Sequence, residues 1–150
     1  MNITVLLGGT SSERDVSLAS GLRIAHALRE RGHRVTAVDP ARGVLDLAHS
    51  AAHHVDSHPP TPEELRALER EAVALQLGSM PEIRDADVVF LALHGGQGED
   101  GTVQALLDLV GARYTGSGHL ASALAMDKDL SKHLMRAAGV STADWLMLRL

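Results

Sequence analysis

Apolar positions follow two rhythms along this chain, short unbroken runs and longer stripes at helical spacing, and their alternation predicts an α/β sheet. Ile3 to Leu7 is a β-rich run that empties into Gly8-Gly9-Thr10-Ser11-Ser12-Glu13-Arg14-Asp15, a polar loop opened by glycines. Leu18, Leu22, Ala25 and Leu28 then recur at intervals of three and four. They predict a helix that Ser12 or Ser17 caps, with Arg29 and Arg31 suited to its C-terminal dipole and Gly32 as its stop. Val35 to Val38 reads as a second strand, ending at Asp39-Pro40. A strand, helix and strand in this order imply parallel pairing and a right-handed crossover.

Residues 41 to 60 are less regular, with His49, His53, His54 and His58 among small residues, and read as a surface excursion. Thr61-Pro62-Glu63-Glu64 supplies a capping box with proline at the first helical position, and Leu65, Leu68, Ala72 and Leu75 carry the helix toward Gly78. Asp87 to Leu93 reads as a buried strand that stops abruptly at His94-Gly95-Gly96-Gln97-Gly98-Glu99-Asp100-Gly101. Val103, Leu106, Leu107 and Val110 place a helix directly after that loop. Arg113 to Thr115 predicts a short further strand, 119 to 125 is a small-residue segment, Asp127 caps a helix ended by Gly139, and Asp144 to Leu148 reads as a last strand. No loop or cap closes that last unit, so the chain reads as one that is cut off.

Composition narrows the class. With 150 residues, 45% of them hydrophobic, one ordinary core is expected. The net charge of -5 without a basic run argues against nucleic acid or a membrane surface as partner, which leaves a small molecule. Cysteine is absent, which removes disulfides and thiolate metal sites. The start lacks a signal-peptide pattern and no apolar run approaches the roughly 18 residues of a spanning helix, so a soluble, cytosolic protein is expected.

Two loops follow predicted strand ends, where open α/β sheets bind ligands. The first lacks the G-x-G-x-x-G dinucleotide fingerprint, and the phosphate loop and nucleophile elbow are missing from the whole chain. What it offers is Glu13, either a dipole-complementing acid at a helix start or a receptor for a substrate ammonium. His94 is either a strand-end histidine satisfied by a carbonyl or a ligand contact. Glu99 and Asp100 read as helix caps. Lys128 sits in a first helical turn, where a cation opposes the dipole unless an anion such as phosphate is near, the alternative being a solvated lysine beside Lys132. The four histidines between 49 and 58 lack a three-ligand pattern, and no metal site is expected there.

Four segments in order, Leu-Leu-Gly-Gly-Thr-Ser-Ser-Glu-Arg-Asp-Val-Ser (6 to 17), His-Gly-Gly-Gln-Gly-Glu-Asp-Gly-Thr-Val-Gln (94 to 104), Tyr-Thr-Gly-Ser-Gly (114 to 118) and Ala-Met-Asp-Lys (125 to 128), give the chain its resemblance. It resembles the N-terminal half of a bacterial D-alanine-D-alanine ligase of the ATP-grasp type. The match is poorest over 41 to 80, which is longer than in compact members. The resemblance implies an open, mostly parallel Rossmann-like sheet flanked by helices, a pre-ATP-grasp domain over 1 to 118. The first helix and strand of the ATP-grasp central domain would follow over 119 to 150.

It also implies that ATP phosphorylates the carboxylate of one D-alanine and that the amine of a second attacks the acyl phosphate, giving a dipeptide for peptidoglycan synthesis. On the matching positions, Glu13 would orient the ammonium of the first D-alanine, Val16 and Ser17 would shape that pocket, His94 would sit in its hydrogen-bond network, and Lys128 would touch the ATP phosphates. The Mg²⁺ ligands, the lid and the oxyanion-stabilising arginine of the family fall beyond Leu150, so no metal ligand set is expected here and the chain alone is expected not to turn over. A homodimer is the family habit. The rival reading is a free-standing α/β module that binds a small ligand without catalysis.

Overall fold

The computed structural model describes residues 1–48, 55, 58–72 and 74–148. Its centre is a four-stranded open sheet of β1 (Asn2–Leu6), β2 (Arg34–Asp39), β3 (Gly43–Leu45) and β4 (Val88–Leu91), in the order β3-β2-β1-β4. β1 lies between β2 and β4 and is parallel to both, with Val5 opposite Ala37 on one side and Phe90 on the other. The helix α1 (Arg14–Glu30) makes the crossover from β1 to β2. The predicted βαβ opening and mostly parallel α/β sheet are therefore present.

Alternation along β1 assigns its two faces. Ile3, Val5 and Leu7 point to one side and pack with Leu18, Leu22 and Ala25 of α1. Leu6 points to the other, joining Val38, Val89, Leu77, Ile83, Val103 and Leu107. These last residues belong to a 3₁₀ turn (Ala74–Ser79), α3 (Pro81–Arg84) and α4 (Thr102–Leu109). Both faces of the central strand are thus covered, and every β1 residue after Asn2 is buried, Thr4 included. Buried Thr4 spends its hydroxyl on the Glu82 carbonyl, 2.5 Å away.

Several expectations are corrected. The excursion after residue 40 contains β3, which pairs antiparallel with β2 through a turn at Asp39 to Gly43. Its three residues are too few to show a period in the sequence. α2 (Pro62–Glu71) begins with the expected capping box, Glu64 N donating to Thr61 Oγ1 at 3.3 Å and Thr61 N to Glu64 Oε2 at 2.7 Å, but it ends before Ala72 and gives way to the 3₁₀ turn. Arg113 to Thr115 supplies one parallel bridge, Tyr114 to Val89, instead of a strand. The segment 119 to 126 is a helix, α5 (His119–Met126), because its alanines, leucines and methionine are strong helix formers.

Asp127 caps α6 (Lys128–Ala137) as expected, accepting from Leu130 N at 2.9 Å. Asp144 to Leu148 is not a strand: among the described residues no neighbouring strand pairs with it, and Trp145 lies instead against α6, its indole donating to Asp129 Oδ1 at 2.6 Å. His49, His53 and His54 lie outside the described residues. Among the described residues, no helix is long and apolar enough to cross a membrane.

Candidate functional site

β1 and β4 are adjacent and parallel, so their carboxyl ends release two loops side by side, Leu7 to Glu13 and Ala92 to Gly101. Three serines of the first loop and α1 join them. Ser11 Oγ donates to the His94 carbonyl at 2.5 Å, and Ser20 Oγ lies 3.3 Å from His94 Nε2. Ser17, fully buried, accepts from Gly8 N at 2.8 Å and donates to the Ala92 carbonyl at 2.7 Å.

Close approach of the two loops depends on glycine at Gly95. Gly95 has φ +67°, and a Cβ there would lie 3.2 Å from Ser11 Oγ and 3.7 Å from the Glu13 carboxyl carbon. Between the loops lies a cavity of about 150 Å³ bordered by Gly9, Thr10, Ser11, His94 and Gln97. That is below the roughly 300 Å³ at which drug-sized ligands are held, and suits a ligand of few atoms.

At this junction Glu13, His94 and Glu99 converge, their ligand-capable atoms all within 4.8 Å of one another. Glu13 is the N-cap residue of α1 but makes no side-chain cap bond, and its carboxylate is open to solvent. Among the described residues no Lys or Arg pairs with Glu13 or Glu99. Two uncompensated carboxylates beside an imidazole produce a local negative potential that favours a small cation or an ammonium.

The structure therefore brings Glu13 and His94 together, and it does not bring in every other expected residue. Ser17 lies beneath the loops with both hydrogen-bonding capacities used, so it shapes them from below. It also sits inside α1, and neither Ser12 nor Ser17 caps that helix: the Glu13 N–H is met by Ser11 Oγ at 3.2 Å. Val16 stands one turn after Glu13 and is exposed, outside the cavity lining. Lys128 is exposed on α6 and donates from Nζ to the Ala125 carbonyl at 2.7 Å, so a carbonyl at the end of α5 relieves the helix-dipole conflict that pointed to phosphate.

Glu99 is a correction. Read as a cap, it belongs to the cluster, while Asp100 alone meets the backbone of α4, accepting from Thr102 N at 2.9 Å. Among the described residues these three side chains form one candidate cation group. Sequence spacing misses it because Glu13 and Glu99 meet only through the pairing of β1 with β4. Gln104, unremarked in the sequence, fixes the second loop by donating from Nε2 to the Gly98 carbonyl at 2.8 Å.

Comparison with known proteins agrees with this architecture. The family model described as D-ala D-ala ligase N-terminus matches residues 2–117. A D-alanine--D-alanine ligase of Pediococcus pentosaceus is 40% identical over 99% of this chain and 46% of its own length, and one of Rhizobium meliloti is 45% identical over 98% and 37%. The chain thus spans less than half the length of these relatives.

Among solved structures, the D-alanine-D-alanine ligase from Coxiella burnetii superposes with a TM-score of 0.66 at 33% identity, covering 96% of this chain and 44% of that one. The Bacillus anthracis ligase complexed with ATP gives 0.65 at 31% identity, over 97% and 37%. With its mostly parallel sheet, its two facing loops and a family match across most of its length, the chain belongs to the D-alanine-D-alanine ligase family, of which it holds the N-terminal part.

Proposed function

We infer that the chain is the substrate-side part of an enzyme that joins two D-alanines at the expense of ATP, and that Glu13 receives the ammonium of the first. The observation that carries this reading is the convergence of Glu13, His94 and Glu99 within 4.8 Å beside a small cavity, with no cationic partner among the described residues. A carboxylate holds an ammonium through short charge-assisted hydrogen bonds, and the N-terminal end of α1 fixes where that carboxylate stands. His94, anchored through its carbonyl by Ser11 and facing Ser20 through Nε2, completes the polar wall. Ser17 shapes the pocket from beneath, while Val16, outside the cavity lining, would meet a substrate only across the exposed side of α1.

In the reaction so inferred, a carboxylate oxygen of the bound D-alanine attacks the terminal phosphorus of ATP, and ADP leaves. The amine of a second D-alanine then attacks the acyl carbon, phosphate departs and a proton is released from nitrogen. Holding the first ammonium at Glu13 orients its carboxylate away from α1 and keeps it from wandering, which is an entropic contribution to rate. The cavity is too small for a nucleotide, so ATP falls to the remainder of the enzyme, with Lys128 contacting its phosphates from this side after leaving the Ala125 carbonyl. The Glu13, His94 and Glu99 group does not fit Mg²⁺, which prefers oxygen ligands in octahedral geometry, and no step here passes through that ion. Residues 1 to 118 form the substrate-side domain in this reading and 119 to 150 begin the next. The enzyme acts in the cytoplasm, serves peptidoglycan synthesis and assembles as a homodimer.

The test is a chimera in which the C-terminal remainder of the Rhizobium meliloti relative follows this chain, assayed for ADP release and dipeptide formation. Dipeptide made by the chimera, and none by the 150 residues alone, is the expected result. A folded chimera that binds ATP and D-alanine without making dipeptide sinks the ligase reading and favours a binding module.

A further inference from the structure

Asp39, the last residue of β2, has no exposed surface, and Arg14, the first of α1, is 7% exposed. A buried ion pair costs several kcal/mol to desolvate and is often no better for stability than apolar residues of the same volume. This one is almost fully engaged by the backbone around it. Asp39 Oδ1 accepts from Gly9 N at 3.0 Å, Ala41 N at 2.9 Å and Arg14 Nη1 at 3.1 Å, and Oδ2 accepts from Arg14 Nη2 at 2.5 Å. Arg14 Nη1 also donates to the Gly9 carbonyl at 2.6 Å. Gly9 is thus held through its donor by one member of the pair and through its acceptor by the other. Gly8 packs so tightly that a Cβ on it would stand 2.8 Å from the Asp39 carboxyl carbon.

The segment gripped in this way is the loop that carries Glu13. Arg14 N closes it by donating to the Ser11 carbonyl at 3.1 Å, and Ser11 Oγ ties the same turn to the His94 carbonyl. A pair serving stability alone would not need to engage both backbone polar groups of one loop residue. We propose that the Arg14–Asp39 pair is a positioning latch, which sets the course of Gly8 to Glu13 and so places the Glu13 carboxylate against His94 and Glu99. The inference rests on Glu13 being the ammonium receptor. Lysine at position 14 is no substitute, because one ammonium cannot span both Asp39 oxygens and the Gly9 carbonyl as a planar fork does.

The test combines NMR on the unaltered chain with two variants, Arg14→Lys and Asp39→Asn. In the unaltered chain a locked guanidinium gives separate Arg14 Nη–H resonances at low temperature; a single averaged resonance overturns the latch. In variants that circular dichroism shows to be folded, Gly9 amide exchange rises about tenfold or more and D-alanine affinity falls about tenfold. Glu13→Gln, the comparison, weakens D-alanine to a similar degree with Gly9 exchange unchanged. Variants that melt earlier yet keep both the Gly9 protection and the D-alanine affinity reduce the pair to a structural one and overturn the proposal. An unaltered chain that ignores D-alanine overturns the ammonium reading alone, since Gly9 exchange and the Arg14 resonances judge the latch without ligand.

Discussion

Replacing Ser17 by alanine removes one oxygen from a place with no exposed surface and separates two strand ends at once. The hydroxyl accepts from Gly8 N at 2.8 Å and donates to the Ala92 carbonyl at 2.7 Å, so the change leaves a buried N–H without its acceptor and a carbonyl without this donor. An orphaned buried group costs about 1 to 3 kcal/mol, and a carbonyl, with a second lone pair, falls toward the lower end. The expected loss is about 2 to 4 kcal/mol in all. For a chain of this size it corresponds to a melting temperature lower by roughly 4 to 15 °C. Equilibrium unfolding in urea followed by circular dichroism measures it, with Ser20→Ala as reference. Ser20 is only partly buried, bonds to the Val16 carbonyl of its own helix and reaches His94 Nε2 only at 3.3 Å, so its loss should stay within about 1 kcal/mol. Equal stabilities for the two variants would refute the claim that Ser17 joins the two loops from beneath.

Leu107→Ala should destabilise by about 2 to 5 kcal/mol in the same assay, because Leu107 is fully buried between α4 and the sheet and its removal leaves a cavity; a loss under about 1 kcal/mol would contradict that packing. Asp108 accepts from His119 Nδ1 at 2.7 Å and from Tyr114 Oη at 2.8 Å, and these bonds, His119 first, hold its carboxyl below the ordinary 3.8. A depressed native value means that the unfolded chain binds the proton more tightly, so the stability Asp108 lends is present above that pH and drains as pH falls through the native value. Thermal melting of Asp108→Asn should therefore be less sensitive to acid below about pH 4 than that of the unaltered chain, and parallel curves would exclude the contribution.

The elements legible in the sequence were those whose patterns are long or chemically marked. The α1 stripe at Leu18, Leu22 and Ala25, the capping box at Thr61 and the buried run before His94 each state a local requirement that the structure satisfies locally. Where the requirement is tertiary, the sequence is silent or misleads. β3 exists because the turn after Asp39 lays Gly43 to Leu45 against β2, and Asp144 to Leu148, although apolar, has no strand to pair with among the described residues. Within the site, Glu13 was visible as an acid at a predicted helix start and His94 as a polar residue at a predicted strand end. Glu99 was hidden by its equal suitability as a helix cap. Arg14 and Asp39 were hidden because an ion pair 25 residues apart has no local period.

Whether Glu13 receives the substrate ammonium is decided by titrating D-alanine and D-lactate in parallel while following the amide resonances of Glu13, His94 and Glu99. D-lactate keeps the carboxylate and replaces the ammonium with a hydroxyl. An ammonium receptor at Glu13 gives saturable shifts at these three residues with D-alanine, at least about tenfold weaker binding for D-lactate, and loss of that preference in Glu13→Gln. Equal affinity for the two ligands, or an unchanged preference in Glu13→Gln, would contradict it.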